Sequence, residues 1–257
     1  MTRSIFMIHG MWCGPWVWDN YMDFFRGREF ECRAPTLRYH DTDTKDGDGE
    51  KLGKVSLLDY AEDLEGELKT YKEPPVVIGH SMGGLLAQIL AARGLAKAAV
   101  LLTPAAPNGV RSLTPSVVRC FLGVMGKSLR QKPMKLTYEK ADYAMMEYLP
   151  EKQKKEIYAK LVHESGRAAR EIGFRWMCAK WALASTVKSI SCPLLVIAGK
   201  DDRITPASVV EKIAGKYEKQ AKQLKYNVYE KHAHWIIGEP GWENIAGDVH
   251  DWLIDKL

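Results

Sequence analysis

The sequence predicts an α/β fold: a mainly parallel sheet of about six strands, with helices on both faces and an inserted helical cap. Short apolar, often β-branched runs alternate with amphipathic runs at helical spacing, which is typical of a parallel sheet. This alternation stops after Thr103 and resumes at Cys192, and the residues between them contain helical runs but no convincing strand. A chain of 257 residues is long enough for one large domain with such an insertion.

The strands of the core are predicted from six apolar runs. They are Ser4–Ile8, Phe30–Leu37, Val76–Ile78, Lys97–Thr103, Cys192–Gly199 and Leu224–Glu230. The helices of the core are predicted up to about Arg26, over Ser56–Tyr71, from Met82 to a stop near Gly94, and over Glu243–Ile254. Ser56 is the expected N-cap of its helix, and Gly94 the expected C-terminal signal of the helix before it.

The inserted segment divides the chain into a core, residues 1–104 and 188–257, and a helical cap, residues 105–187. Its helices are predicted over about Ser116–Arg130, Pro150–Ser165 and Arg167–Ala184. Their apolar faces need a covering surface, and the mouth of a ligand site at the sheet edge offers one. Four large side chains of the cap are candidates for its wall: Met125, Trp176, Met177 and Trp181.

Composition limits the classes of partner. The net charge is +5, and the segment from Arg111 to Lys188 holds 16 Lys and Arg against seven Asp and Glu. No nucleic-acid motif accompanies these charges, so a solvated helical surface is expected. No apolar run approaches the length of a membrane span, and the five cysteines are scattered without a Cys-x-x-Cys pair. A cytoplasmic protein without stable membrane association is therefore expected.

One acidic stretch, from Tyr39 to Lys54, invites a calcium interpretation. It does not match an EF-hand loop, because Lys45 stands at the fifth position, where an oxygen ligand belongs, and no glycine stands at the sixth. We expect a solvated loop there and no bound metal.

The strongest chemical signal is Gly79-His80-Ser81-Met82-Gly83, which lies between a predicted strand and a predicted helix. In so tight a turn the two backbones nearly touch, and glycine avoids the clash that a side chain would cause. Ser81 would then project above the strand end, beside the free N–H groups of the helix N-terminus. This context predicts that Ser81 is a nucleophile.

A loop after the first strand supplies a second part of the site. The strand ends in His9-Gly10 at the same predicted edge of the sheet as Ser81. The backbone N–H groups of Met11 and Met82 can then form an oxyanion hole together. We expect His9 to orient this loop and not to take part in the chemistry.

A serine nucleophile needs a base, and imidazole suits this role because its pKa lies near neutral pH. His234 is preferred over His232 because a small residue precedes it and an apolar residue and a Glu-Pro turn follow it. His40, His163 and His250 are expected to be ordinary surface residues. A carboxylate is expected after the Cys192–Gly199 strand, where Asp201 and Asp202 both qualify.

Taken together, these parts resemble the α/β-hydrolase superfamily across nearly the whole chain. The matching motifs are His9-Gly10, Gly79-His80-Ser81-Met82-Gly83-Gly84, Gly199-Lys200-Asp201-Asp202 and Ala233-His234-Trp235. The resemblance implies a nucleophile elbow at Ser81 and the chain order Ser81, Asp202, His234 for a catalytic triad. It favours Asp202 over Asp201, because Gly199, Asp202 and Pro206 match the family's Gly-x-x-Asp-x-x-x-Pro spacing.

The resemblance is less specific for the substrate. The opening from His9 to Trp18 looks like the plant methylesterase and hydroxynitrile-lyase branch, whereas the elbow and the cap also resemble bacterial carboxylesterases, haloperoxidases and carbon–carbon bond hydrolases. The two strands that lead the full fold are expected to be missing before Ser4. A Ser nucleophile in place of Asp argues against haloalkane dehalogenases and epoxide hydrolases.

The expected function is a serine carboxylesterase that acts on small to medium apolar esters, thioesters or lactones through an acyl-enzyme. Trp12 and Trp235 are expected in its substrate pocket, and no cofactor is implied. A carbon–carbon bond hydrolase or lyase on the same triad stays open, as do a ligand-binding receptor of the same fold and a lipase that works at a membrane surface. The expected partner is a small molecule rather than a nucleic acid, and a monomer or homodimer is expected.

Overall fold

The structure is a computed structural model that describes residues 3–41, 48–174 and 177–257. Its strands are Arg3–Ile8 (β1), Phe30–Arg33 (β2), Val76–His80 (β3), Ala98–Leu102 (β4), Leu194–Gly199 (β5) and Leu224–Tyr229 (β6). They form a six-stranded sheet in the order β2-β1-β3-β4-β5-β6, and every neighbouring pair is parallel. The predicted sheet is confirmed, and β3 occupies a central position in it.

The helices of the described residues are Asp19–Arg26 (α1), Asp48–Lys54 (α2), Leu57–Leu68 (α3), Met82–Ala92 (α4), Pro115–Phe121 (α5), Met125–Leu129 (α6), Tyr138–Met145 (α7), Glu151–Lys160 (α8), Gly166–Gly173 (α9), Ala179–Ala184 (α10), Ala207–Tyr217 (α11) and Trp242–Lys256 (α12). Helices cover both faces of the sheet, with α4 packed on β3 and β4 and α11 on β5 and β6. Every residue of β3, β4 and β5 is buried. Burial on both faces explains why these strands are continuous apolar runs in the sequence.

Local signals account for several element ends. The Ser56 hydroxyl accepts the Asp59 N–H at 3.0 Å, and the Asp59 carboxylate accepts the Ser56 N–H at 2.7 Å, so a capping box starts α3 as expected. Gly94, with φ of +77°, follows the end of α4. β2 is shorter than predicted, because it ends at Arg33 shortly before Pro35, which has no N–H to donate to the sheet.

The residues between β4 and β5 form α5–α10 and, within the described part of the chain, no strand longer than the bridge between Met134 and Glu164. Two of the long helices predicted here are each broken in two, and α7 was not predicted. Gly123, a poor helix former, lies between α5 and α6, where one helix was predicted. Trp176 and residues 42–47 of the acidic stretch lie outside the described residues. The end of that stretch forms α2, where a solvated loop was expected. No helix in the described ranges combines the length and apolar character needed to cross a bilayer.

Candidate active site

Three predicted side chains meet at the carboxyl edge of the sheet. Ser81 follows β3, Asp202 follows β5 and His234 follows β6. The imidazole Nε2 of His234 lies 2.9 Å from Ser81 Oγ, and its Nδ1 lies 2.7 Å from Asp202 Oδ2. All three residues are buried. The contacts form one continuous path for a proton from the hydroxyl to the imidazole, with the carboxylate behind it.

The turn between β3 and α4 holds Ser81 in a conformation that side chains rarely adopt. Its φ is 57° and its ψ is −119°, which costs about 1–3 kcal/mol unless the surroundings enforce it. A Cβ added to Gly79 would overlap the carbonyl oxygen of Gly83, and one added to Gly83 would overlap the carbonyl oxygen of Ile8. Only glycine allows these close backbone approaches, which keep the serine above the end of its strand.

Asp202 is held as an anion by a full set of donors. Its Oδ1 accepts the backbone N–H groups of Ile204 and Thr205, each at 2.8 Å, and the Thr205 hydroxyl lies 2.7 Å from Oδ2. Burial alone would raise the pKa of this carboxyl, but His234 and the hydrogen bonds outweigh burial, so the pKa is lowered. An ionised Asp202 accepts the Nδ1–H of His234 and leaves Nε2 free to receive a proton from Ser81.

The backbone around His234 is fixed from two sides. His80 Nε2 donates to the His234 carbonyl oxygen at 2.8 Å, and burial, followed by the neighbouring His234, lowers the pKa of His80 to about 3. His80 therefore stays neutral. On the other side, the Ala233 N–H donates to Glu239 Oε1 at 2.7 Å. These two contacts restrain the position of the imidazole, because one holds the peptide group after His234 and the other holds the peptide group between His232 and Ala233.

Glu239 gives a testable pH dependence of stability. Burial, with weaker contributions from Asp202 and other carboxylates, raises its pKa from 4.5 to about 7. The folded state thus keeps a proton that the unfolded chain releases, so the stabilisation is complete below about pH 4.5 and is lost as the pH rises through about 7. Glu239→Gln keeps the acceptor for the Ala233 N–H and stays neutral. We expect the fall in the free energy of unfolding between about pH 5 and about pH 8 to be smaller in this variant.

Chemical denaturation at both pH values checks this expectation. Glu73→Gln is the control, because Glu73 is exposed and its replacement removes a carboxylate from solvent. If the free energy of unfolding of Glu239→Gln depends on pH as that of the wild type does, the raised pKa of Glu239 is contradicted.

The two predicted oxyanion donors belong to residues that lie beside Ser81. Within the described residues, neither the Met11 N–H nor the Met82 N–H donates to a backbone or side-chain acceptor, and both residues line the cavity that contains Ser81. His9 aims the first of them. Its Nε2 accepts the Leu37 N–H at 3.2 Å, so its Nδ1 carries the proton and donates to the Gly10 carbonyl oxygen at 2.9 Å. In a trans peptide the C=O and N–H point in opposite directions, so this bond turns the Met11 N–H away from His9.

A cavity of about 870 Å³, part of it open to solvent, lies against Ser81. No charged side chain lines it among the described residues, and its wall is largely aliphatic and aromatic. Much of the wall comes from α5, α6 and α9 and their flanking residues: Leu113, Val117, Val118, Phe121, Val124, Met125, Ser128, Ala169, Ile172, Gly173 and Phe174. The insertion between β4 and β5 therefore forms much of the surface around Ser81.

Comparison with known proteins identifies the family. The sequence pattern described as the Alpha/beta hydrolase family matches residues 5–242. The chain belongs to this family. A monoacylglycerol lipase of Mycolicibacterium smegmatis is 27% identical over 188 residues, which are 72% of this chain and 63% of that protein. This alpha/beta hydrolase thus matches less than two thirds of the length of that curated relative.

Solved structures share the fold of this alpha/beta hydrolase. The crystal structure of a monoacylglycerol lipase from Paleococcus ferrophilus has a TM-score of 0.70 at 20% identity, covering 99% of this chain and 95% of that one. A thermophilic esterase from Thermogutta terrifontis has a TM-score of 0.71 at 19% identity, covering 99% and 90%. At these identities the likeness establishes the architecture alone.

The expected pocket positions of Trp12 and Trp235 need correction, because neither residue lines the cavity beside Ser81. Trp12 lies behind the wall, with its ring centroid 5.9 Å from that of Phe121 and its Nε1 donating to the Met134 carbonyl oxygen. Trp235 turns away to pack on Trp16, with ring centroids 6.0 Å apart. Proximity in sequence to a site residue does not fix the direction of a side chain in a loop. Of the cap side chains proposed from the sequence, Met125 does line the cavity, whereas Met177 is exposed.

Several residues around the site were missed by the sequence analysis. Thr205 follows Asp202 closely and places its hydroxyl on the carboxylate, and a Thr three residues after an Asp is a recognisable local signal. His80 donates to a backbone carbonyl 154 residues further along the chain, which no short motif reveals, and Glu239 accepts a backbone N–H six residues before it. The expectation that His40 is a surface residue is wrong, because only 4% of it is exposed.

Among the described residues, no group of three or more His, Cys, Asp or Glu has the arrangement of a metal site.

Proposed function

We propose that this chain is a serine hydrolase that cleaves carboxylic esters through an acyl-enzyme on Ser81. The observation that carries the proposal is the buried contact path from Ser81 through His234 to Asp202 beside an apolar cavity. The names of similar proteins, a monoacylglycerol lipase and an esterase, support ester substrates. The EC 3.1.1 class follows from this proposal.

In the first half-reaction, Ser81 Oγ attacks the ester carbonyl carbon while His234 Nε2 takes the hydroxyl proton. The carbonyl oxygen becomes an oxyanion that accepts the N–H groups of Met11 and Met82, each of which stabilises the transition state by about 3–4 kcal/mol. The imidazolium of His234 is stabilised by Asp202 and gives its proton to the departing alkoxide. An alcohol leaves, and the acyl group stays on Ser81.

In the second half-reaction, water attacks the acyl-enzyme and His234 again acts as the base. The tetrahedral intermediate uses the same two N–H groups, and its collapse returns the proton to Ser81 and releases the carboxylic acid. Every group that this cycle needs is a side chain or backbone group of the chain itself. No cofactor enters the proposed mechanism.

We propose that residues 105–187 act as a cap that encloses the substrate. The contribution of α5, α6 and α9 to the cavity wall supports this role. Because the wall is apolar and uncharged, the acyl or alcohol part that it receives is a hydrocarbon chain of small to medium length. The five free cysteines support a reducing, cytoplasmic location.

The uncharged wall predicts a preference that kinetics can measure. We expect kcat/KM for p-nitrophenyl hexanoate to exceed that for an analogue of the same chain length with a terminal carboxylate by more than about tenfold, because the cavity cannot pair a buried anion. The same comparison in alkaline buffer without enzyme corrects for intrinsic reactivity. Equal values of kcat/KM for the two esters would show that the acyl chain binds outside this cavity.

The proposal as a whole is tested by trapping the acyl-enzyme site. A fluorophosphonate should label the wild-type protein once, on the peptide that contains Ser81, and should abolish hydrolysis of p-nitrophenyl butyrate with the same time course. Absence of labelling at Ser81, or hydrolysis that survives complete labelling, would refute it. Product analysis with a vinylogous diketone and a cyanohydrin covers the alternative of carbon–carbon cleavage on the same residues.

A further inference from the structure

A second buried ionisable cluster lies outside the proposed triad. The side chains of His40 and Glu164 are fully buried, with 3.1 Å between His40 Nε2 and Glu164 Oε2. Glu164 Oε1 accepts the Tyr60 hydroxyl at 2.9 Å and the Ser165 N–H at 2.6 Å. His40 and Tyr60 precede β3 in the chain, whereas Glu164 belongs to the insertion. The cluster therefore joins the sheet-bearing part of the protein to the insertion.

The hydrogen bonds define the charge of the cluster. His40 Nδ1 lies 3.1 Å from the Arg38 carbonyl oxygen, and its Nε2 faces the Glu164 carboxylate. Both partners accept hydrogen bonds, so both ring nitrogens act as donors and the ring is an imidazolium. Burial would lower the pKa of His40, but Glu164 and the two hydrogen bonds outweigh burial and raise it. Two opposite charges are thus buried together.

The backbone of Glu164 leads directly to the loop that carries the Met11 N–H. Glu164 and Met134 exchange two backbone hydrogen bonds, of 2.8 and 3.0 Å, and the Met134 carbonyl oxygen accepts the Trp12 indole N–H at 3.2 Å. Beside them, the Val162 N–H donates to the Trp12 carbonyl oxygen at 2.8 Å. Trp12 has a φ of 62°, which needs such restraint on the residue next to Met11.

The ring of His40 reaches the same loop from the other side. Its centroid lies 5.2 Å from that of His9, whose Nδ1 holds the Gly10 carbonyl oxygen. The Gly10–Met11 peptide is therefore restrained through His9, and the residue after it through Trp12. Both restraints converge on the His40–Glu164 pair.

From this convergence we infer that Glu164 and His40 are positioning residues that hold the Met11 N–H in its oxyanion-binding orientation, so that the insertion helps to set the geometry of catalysis. The inference rests on the proposed function. A buried ion pair is a poor source of net stability compared with apolar packing, but it fixes one arrangement strongly, because either charge is costly when left unpaired. That property suits a group whose task is to set an orientation.

The test compares Glu164→Gln with a matched variant, Glu171→Gln. Glu171 is also buried and also ties the insertion to the rest of the protein, since its Oε2 accepts the Leu57 N–H at 2.9 Å, but no hydrogen bond among the described residues links it to the loop of Met11. We expect Glu164→Gln to lower kcat for p-nitrophenyl butyrate by about 10- to 100-fold, with KM changed less than about threefold, since complete loss of one oxyanion donor costs about 10²–10³-fold. Glu171→Gln should lower the melting temperature and leave kcat within about threefold.

A rescue variant distinguishes a changed orientation of the Met11 N–H from general damage to the fold. His40→Gln combined with Glu164→Gln replaces the ion pair by two amides that can hydrogen-bond without unpaired charge, and should recover most of the kcat lost in Glu164→Gln. If Glu164→Gln does not yield folded protein, Tyr60→Phe removes one donor from the carboxylate and should show a smaller fall in kcat. All assays are run well below the melting temperature of each variant.

The backbone amide resonance of Met11 provides a readout that does not depend on activity. It should shift in Glu164→Gln, or in Tyr60→Phe if that variant is needed, and stay in place in Glu171→Gln. A wild type that hydrolyses no ester would refute the proposed function, while a shifted Met11 resonance would still support the positioning role. A kcat within threefold of wild type together with an unmoved Met11 resonance would overturn the inference.

Discussion

Replacing Ser81 with alanine lowers the kcat of ester hydrolysis on the order of 10⁶-fold, if the proposed acyl-enzyme is correct. The change removes the only atom that bonds to the substrate and leaves the oxyanion donors and the cavity in place. A residual rate above the uncatalysed reaction is therefore expected, because those groups still bind the transition state. The measurement is kcat and KM for p-nitrophenyl butyrate.

Ser128→Ala is the matched control for this substitution. Ser128 also lines the cavity and is buried, but its hydroxyl donates to the Gly166 carbonyl oxygen and does not contact His234 in the structure. We expect it to keep at least about a third of the wild-type kcat, since the loss of one neutral hydrogen bond costs about 1 kcal/mol of stability and no catalytic group. Equal losses in both variants would show that the cavity, and not the nucleophile, had been disturbed.

Replacing Asp202 with asparagine should lower kcat by about 10⁴-fold, the second largest effect. Asparagine keeps the size of the side chain but removes the charge that stabilises the imidazolium. It also allows an amide N–H to face His234 Nδ1, which favours the tautomer that carries its proton on Nε2 and cannot accept one from Ser81. Labelling by the fluorophosphonate should slow in parallel, because the same proton transfer is needed.

The neighbouring Asp201 provides a control for this prediction. Its carboxylate is exposed and accepts the Tyr148 hydroxyl at 2.7 Å, away from the imidazole. Asp201→Asn should therefore change kcat by less than about threefold. A large loss in Asp201→Asn and a small one in Asp202→Asn would reverse the assignment of the acid.

The sheet and the juxtaposition of Ser81, Asp202 and His234 could be predicted because backbone sterics and strand polarity determine them. A parallel strand ends at a known edge, and the glycines around Ser81 leave few alternatives for the turn. Once Ser81, Asp202 and His234 were each predicted to follow a strand, their proximity was a consequence of the topology.

The walls of the cavity and the cluster around Glu164 could not be predicted in this way. They depend on how short helices of the insertion pack on the sheet edge, and amphipathic spacing does not specify which partner an apolar face meets. His40 shows the difficulty well, because its partner lies 124 residues further along the chain. A lone histidine in a polar stretch carries no signal for that pairing.

The adjacency of β4 and β5 has a consequence for the history of this chain. Because the insertion leaves one strand and returns to the next, its two ends are close together, and its exchange would not interrupt any hydrogen bond between strands. Recombination could therefore replace the whole segment and give a descendant with a new ligand preference on an old framework. On the proposed role of Glu164, only chimaeras that recreate the hydrogen bonds to Trp12 would keep full turnover. This requirement limits the proteins from which a replacement segment can be taken.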